Sequence, residues 1–212
     1  MSLFYQHNID GTIRLAIWKI EEEEDFFLAR VPLKKEVSHP YKRLQHLAGR
    51  YLLPVLFPDF PLSEIEVADT NKPFIPGELY HFSISHCGNF AAAIASADLR
   101  VGIDIELETP RIEAIAPKFL SEREKALVEE WAGLDLMHLQ LLTLIWSAKE
   151  AIYKWHGSRQ MDFKEHMYLD GPIQMLPDGR FQLPFQFCKE VRRSLLVEAR
   201  IFDPLILAWV AG

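Results

Sequence analysis

The segment Val101-Gly102-Ile103-Asp104-Ile105-Glu106 constrains this chain more than any other. Apolar β-branched residues alternate with Gly, Asp and Glu, the period of a strand with one face in a core. Val101, Ile103 and Ile105 then point inward. Asp104 and Glu106 stand side by side on the other face, next to a glycine that adds no side chain. Two carboxylates so placed repel each other unless a cation or a donor offsets them, and hard divalent ions such as Mg²⁺ take oxygen ligands of this kind. A lone D-x-E is most often a wet strand edge. The rest of the chain decides between the two readings.

A chain of 212 residues has room for one large domain or two small lobes. At 49% hydrophobic and 25% charged it has the balance of a soluble globular protein. No apolar run reaches membrane-span length, and Met-Ser-Leu-Phe-Tyr-Gln lacks a signal-peptide pattern. The two cysteines, Cys87 and Cys188, are far apart and lack metal spacing, which fits a reducing cytoplasm. A net charge of −7 argues against nucleic-acid binding. Cations nevertheless gather in the first third, as Lys34, Lys35, Lys42, Arg43, Arg50 and Lys72, enough for a local phosphate site.

Taken in order, Thr12 to Ile20 reads as the first strand, and Glu21 to Val31 as a short helix beginning in an acidic run. His39 to Leu53 predicts a helix stopped by Pro54, with Tyr41, Leu44, Leu47, Ala48, Tyr51 and Leu52 as its apolar stripe. Arg43 and Arg50 can line one side of it. Asn71-Lys72-Pro73 opens a turn. Leu79 to Ser96 predicts a hairpin with Ser85 and His86 at its tip. Arg111 to Phe119 is helical, and Ser121 to Glu124 has capping-box spacing for a helix running to Trp131. Asp135 can cap a long helix that ends at Gly157. Beyond it come strands at Met167 to Leu169, Ile173 to Met175, Phe181 to Phe187, Leu195 to Phe202 and Leu205 to Val210, with an Asp178-Gly179 turn. Helices precede strands twice, which suits an α+β chain of two lobes.

On the long helix Trp146, Glu150 and Lys154 recur every four residues along one face. A Glu–Lys pair at this spacing is the commonest helix-surface salt bridge. Here it sits among aromatic and aliphatic residues, where a charge needs a partner or a task. If Glu150 faced Asp104 and Glu106, three carboxylates could hold one Mg²⁺. His86, on a firm hairpin, suits holding a phosphate or moving a proton. No P-loop or dinucleotide fingerprint occurs. A triad of Ser85, His86 and Asp104 fails, because adjacent strand residues diverge.

Together these elements resemble the 4′-phosphopantetheinyl transferases of the two-lobed, surfactin-synthetase-activating type. Asn71-Lys72-Pro73 resembles the G-K-P element, and Phe82 to His86 matches F-S-[IL]-S-H. Val101 to Glu106 matches [VI]-G-[IV]-D-[IV]-E, and Trp146 to Lys154 matches W-[ST]-x-K-E-A-x-x-K. The motifs stand in the family's order across roughly residues 40 to 160. Asn71 departs from the family's glycine, and Lys34 and Lys35 are the candidates for its early lysines.

The resemblance implies two similar α+β lobes in one chain, a pseudo-dimer split as 1–100 and 101–212 with the coenzyme A site between them. It implies transfer of the 4′-phosphopantetheine arm of coenzyme A to a serine of an acyl- or peptidyl-carrier protein, with Mg²⁺ as cofactor and 3′,5′-ADP released. Asp104, Glu106 and Glu150 would ligate the metal. Glu150, or a water on the metal, would take the serine proton, and Lys154 would offset charge at the leaving group. His86, Ser85, Lys72, Pro73 and Arg43 would meet coenzyme A, with Lys154 near its phosphates and Glu124 supporting the pocket. A cytoplasmic monomer without nucleic-acid or membrane partners is expected. The alternatives are a coenzyme A or carrier-protein binding module without turnover, and a Mg²⁺-dependent phosphohydrolase.

Overall fold

The chain opens with β1 (Leu3–Asn8), which pairs antiparallel with β2 (Ile13–Lys19). Next come α1 (Glu24–Leu28), α2 (Pro40–Leu56) and a small hairpin of β3 (Glu66–Val67) and β4 (Pro73–Phe74). A longer hairpin follows, β5 (His81–Cys87) and β6 (Phe90–Ser96). The four long strands form one sheet in the order β1-β2-β6-β5. This is a computed structural model describing residues 2–32, 37–131 and 137–212. Its contacts divide the chain into two units, Met1–Ile103 and Asp104–Gly212.

In the first unit α2 packs on β6, β2 and β5. The small residues of β6 explain how: Ala91, Ala93 and Ala95, with Ala16 of β2, form a low floor under Leu47, Ala48 and Leu52. Each such buried leucine contributes on the order of 1.5–3 kcal/mol. The closest approach is at Gly49, where an added Cβ would lie 2.5 Å from Cγ2 of Ile84. Gly49 therefore sets the height of α2 above β5.

Three differences from the sequence expectations have physical causes. β1 precedes the expected first strand. It is an edge strand whose residues are exposed or half-buried, so it lacks the apolar alternation that marks a strand. The helix expected from Glu21 shrinks to Glu24–Leu28, because Glu22 accepts hydrogen bonds from Trp18 Nε1 (2.9 Å) and Ser2 Oγ (2.9 Å). α2 runs through Pro54 to Leu56. A proline this close to a helix end removes only one donor, the one facing the Arg50 carbonyl.

β7 (Val101–Leu107) crosses the boundary between the units. After it come α3 (Arg111–Phe119), α4 (Glu122–Trp131) and α5 (His138–His156). Then follow β8 (Met167–Leu169), β9 (Gln174–Met175), β10 (Arg180–Phe187), β11 (Arg193–Ile201) and β12 (Leu205–Ala211). The sheet order is β7-β12-β11-β10-β8, with β9 paired to β10. α5 lies on β12 and β11, burying Leu141, Leu144, Ile145, Ala148 and Ile152. It ends as expected at Gly157, whose φ of +79° is left-handed and whose N–H bonds the Tyr153 carbonyl (2.9 Å). Ser121 and Glu124 form the expected reciprocal cap, Ser121 N–H to Glu124 Oε2 (2.9 Å) and Glu124 N–H to Ser121 Oγ (3.3 Å). Asp135, the expected cap of α5, lies outside the described residues, as do Lys34 and Lys35.

Gly49→Ala should cost about 1–3 kcal/mol by forcing α2 off Ile84. Urea unfolding measures it; an unchanged midpoint would show that α2 and β5 are not in such close contact.

Candidate active site

Two groups of functional side chains form, one in each unit. In the first unit a cleft of about 700 Å³ opens beside α2, within the range of small-molecule sites. From α2 and its entry it is lined by His39, Lys42, His46 and Arg50, and from elsewhere by Asn71, Pro73, Ile84 and His86. On a helix at about 100° per residue, positions 39, 42, 46 and 50 form one stripe beside the apolar one. Arg50 reaches back to the His46 ring, and burial lowers its pKa. The cleft is therefore a cationic, imidazole-rich surface on an acidic chain.

The coenzyme A residues expected from sequence distribute unevenly about this cleft. His86 is exposed and lines it, together with Pro73. Ser85 is buried, 5% exposed, on the opposite face of β5, as the strand period requires. Arg43 is not among the lining residues. Its Nε donates to both oxygens of Glu24 (2.9 Å each), and its Nη1 donates to the Val37 carbonyl (3.0 Å). Among the described residues, Lys42 and Arg50 are the lysine and arginine that line the cleft.

Lys72 is half-buried in the loop joining β3 and β4. Burial, then the neighbouring Arg100 cation, pushes its ammonium down to about 8. Asn71 before it has a φ of +67°. That left-handed region favours glycine, and asparagine is among the few other residues that enter it readily.

In the second unit β7 faces α5. Asp104 is 3% exposed. Its Oδ2 accepts from Ser147 Oγ (2.7 Å), and its Oδ1 meets Lys154 Nζ (2.6 Å). Glu106 Oε1 accepts a long bond from Trp146 Nε1 (3.4 Å). Burial, then the charge of Asp104, raises the Glu150 carboxyl to about 7; Lys154 lowers it and Glu106 raises it further. The three acids expected to share a metal do share an electrostatic environment. Among the described residues, however, no three His, Cys, Asp or Glu side chains stand close enough as placed to hold a metal ion. Both oxygens of Asp104 have partners in this arrangement, Ser147 and Lys154. The donor set still fits a hard divalent cation: three carboxylates against one ammonium leave an excess of negative charge, and Glu150 bears its cost.

Sequence reasoning missed what holds this arrangement, Ser147 and Lys149. Lys149 is fully buried, yet its Nζ lies 2.7 Å from Glu124 Oε1. It also donates to the carbonyls of Phe119 (2.6 Å), Phe163 (2.8 Å) and Met167 (3.1 Å). Glu124 in turn accepts from Ser121 Oγ (2.8 Å) and from Leu169 N–H (3.1 Å). Burial pushes the Lys149 ammonium down to about 8, against the Glu124 charge that holds it up. It is thus mostly protonated at neutral pH. The available signal was Lys149 within a run of buried apolar residues, where an ammonium needs a carboxylate.

Residues 100–197 match the family model of the 4′-phosphopantetheinyl transferase superfamily. That span holds Asp104, Glu106, Glu150 and Lys154. The chain is also 34% identical over 130 residues to the 4′-phosphopantetheinyl transferase AcpT of Escherichia coli O157:H7, covering 59% of this chain and 64% of that one. It is 31% identical over 121 residues to enterobactin synthase component D of Salmonella typhi, covering 56% and 50% respectively. The alignments therefore span less than two thirds of either relative. No described helix is long and apolar enough to cross a membrane.

Lys149→Met should strand the Glu124 charge in the core and cost about 3–5 kcal/mol. Adding Glu124→Leu should recover much of that loss in chemical denaturation. A double variant no more stable than Lys149→Met would mean that the two residues do not act as a pair.

Proposed function

We propose that this chain transfers the 4′-phosphopantetheine arm of coenzyme A to a carrier-protein serine, with Mg²⁺ as cofactor. The observation that carries the reading is that Glu150 shares one electrostatic environment with Asp104, Lys154 and Glu106, within the span that matches the superfamily. The two relatives, each similar over more than half of this chain, support it. In this reading the two α+β units are the two lobes of the surfactin-synthetase-activating type, and the chain acts as a monomer in the cytoplasm.

Each group has a task in that chemistry. His86, Lys42 and Arg50 bind phosphate oxygens of coenzyme A in the cleft, and Lys72 adds a cation whose charge a phosphate restores. Asp104, Glu106 and Glu150 are the metal ligands. A divalent ion held there supplies charge neutralisation on the pyrophosphate. The carrier serine Oγ forms a bond to the phosphorus bearing pantetheine, and the bond from that phosphorus to the bridging oxygen breaks. Glu150, the carboxylate among these three that α5 carries, takes the serine proton. Lys154 offsets negative charge on departing 3′,5′-ADP. The nucleophile comes from the partner, so no catalytic serine or cysteine is required of this chain.

Incubation with coenzyme A, Mg²⁺ and an apo carrier protein, followed by mass spectrometry of the carrier, tests the proposal. A phosphopantetheine increment that EDTA abolishes is expected. Coenzyme A binding without an increment on several carriers would favour a binding module, and carrier-independent phosphate release a phosphohydrolase. Asp104→Ala and Glu150→Ala should each abolish transfer while leaving the circular dichroism spectrum unchanged. A near-wild-type rate in either at saturating Mg²⁺ would refute the metal assignment.

The depressed Lys72 pKa gives a separate test. Near pH 8 the free side chain is about half protonated, and a bound phosphate raises its pKa, so coenzyme A binding should take up a fraction of a proton. At pH 6.5 the ammonium is already charged and this uptake vanishes. Calorimetry in buffers of different ionisation enthalpy measures it, and Lys72→Met should remove the pH 8 component. Equal uptake in that variant would exclude Lys72 from the phosphate site.

A further inference from the structure

Lys154 and the proposed metal claim the same atom. Lys154 Nζ lies 2.6 Å from Asp104 Oδ1, a full ion pair, while Ser147 occupies Asp104 Oδ2. Asp104 is 4% exposed in its side chain and Lys154 26%, so the carboxylate is fixed in the interior and the ammonium approaches from the open side. A buried aspartate without a cation would carry a large desolvation cost. The Lys154 ammonium meets that need, at the oxygen a metal would take.

We infer that Lys154 is a stand-in cation: it neutralises Asp104 until a divalent ion binds, and is then released from Oδ1 to face a phosphate. This rests on the proposed metal site and adds an order of events to it. Charge bookkeeping favours the exchange. The carboxylates outnumber the ammonium, a divalent ion covers that excess, and the lysine is no longer needed at Asp104. Ser147 stays on Oδ2 through the exchange, because its hydroxyl sits on a fully buried turn of α5 and can only point at Asp104 or back along the helix. Ser147 is therefore a positioning residue: it fixes the carboxylate so that a single oxygen, Oδ1, is open to competition. The flexible four-carbon stem of Lys154 makes the movement cheap, where the planar fork of an arginine would hold its place.

Lysine-selective ¹⁵N labelling of the whole chain tests the handover, with the ammonium resonances followed during a Mg²⁺ titration and Mg²⁺ binding measured separately by calorimetry. The Lys154 signal, assigned by its loss in Lys154→Gln, should be slowed in hydrogen exchange without metal. It should then move to the position of a solvated ammonium in step with Mg²⁺ occupancy. Lys154→Gln should bind Mg²⁺ several-fold more tightly than wild type, since no competitor remains at Oδ1. Ser147→Ala should weaken Mg²⁺ binding while the Lys154 signal still reports the ion pair. Mg²⁺ binding with a stationary Lys154 signal would overturn the handover and leave the metal site standing. No Mg²⁺ binding by wild type or by Lys154→Gln would overturn the metal site and the handover with it.

Discussion

The second unit depends on one ammonium in its core. Lys149 is fully buried and meets Glu124 and three carbonyls, from the end of α3, the loop before β8, and β8 itself. An ion pair so deep adds little net stability, because desolvation consumes most of the Coulomb attraction. What it supplies is register. Helix residues advance about 100° each, so pinning Lys149 on one side of α5 fixes where every other side chain points. Trp146, Glu150, Lys154 and Ser147 then fall about 60°, 100°, 140° and 160° from it, a single arc that looks toward β7. A slip of α5 by one residue would tear the pair apart and turn Glu150 away from Asp104. The site is placed by a charge that takes no part in its chemistry.

In each unit the chain also places a charge where packing alone would not. The Glu150 carboxyl is raised to about 7 by burial and by its acidic neighbours. The Lys72 ammonium is lowered to about 8 by burial and by Arg100. Each side chain sits in surroundings that penalise its charge, and each would be relieved by a ligand of the opposite sign. Ion pairs used only for structure look different: Arg43 with Glu24 and Arg180 with Glu198 satisfy one another and wait for nothing. Surroundings that penalise a charge in this way are a physical pointer to a functional site.

How far the sequence reveals this depends on whether the cause is local. The strand Val101–Leu107, the cap at Ser121 and Glu124, and the end of α5 at Gly157 are all set by neighbours in sequence, and all are legible there. Asp104, Glu106 and Glu150 could be selected as partners because strand and helix periods each give a defined face. The expectation for Arg43 is of another kind: its place on α2 is legible, while its pairing with Glu24 of α1 is a tertiary fact that no local pattern shows. Ser147 was hidden for a similar reason. Counting by four from Trp146 finds Glu150 and Lys154, while Ser147 reaches Asp104 by lying seven residues before Lys154 on the same side. β1 escaped because an exposed edge strand carries no apolar alternation.

Asn71 shows what a motif position demands. Where the resembled G-K-P element has glycine before Lys-Pro, this chain has asparagine. The backbone there has a φ of +67°, and its amide bonds the Ala68 carbonyl (2.8 Å) while Ala68 N–H bonds the Lys72 carbonyl (3.0 Å). The loop therefore needs a left-handed residue at this point, and Asn supplies it at small cost. A β-branched residue would not, and would push Lys72 and Pro73 out of their places between β3 and β4. The requirement is thus on the dihedral angle, which glycine meets and asparagine meets at small cost. Asparagine adds a side chain to the cleft wall, where Asn71 is a lining residue. An amide can both donate and accept, so the asparagine keeps the loop's shape and puts a polar group on the cleft wall.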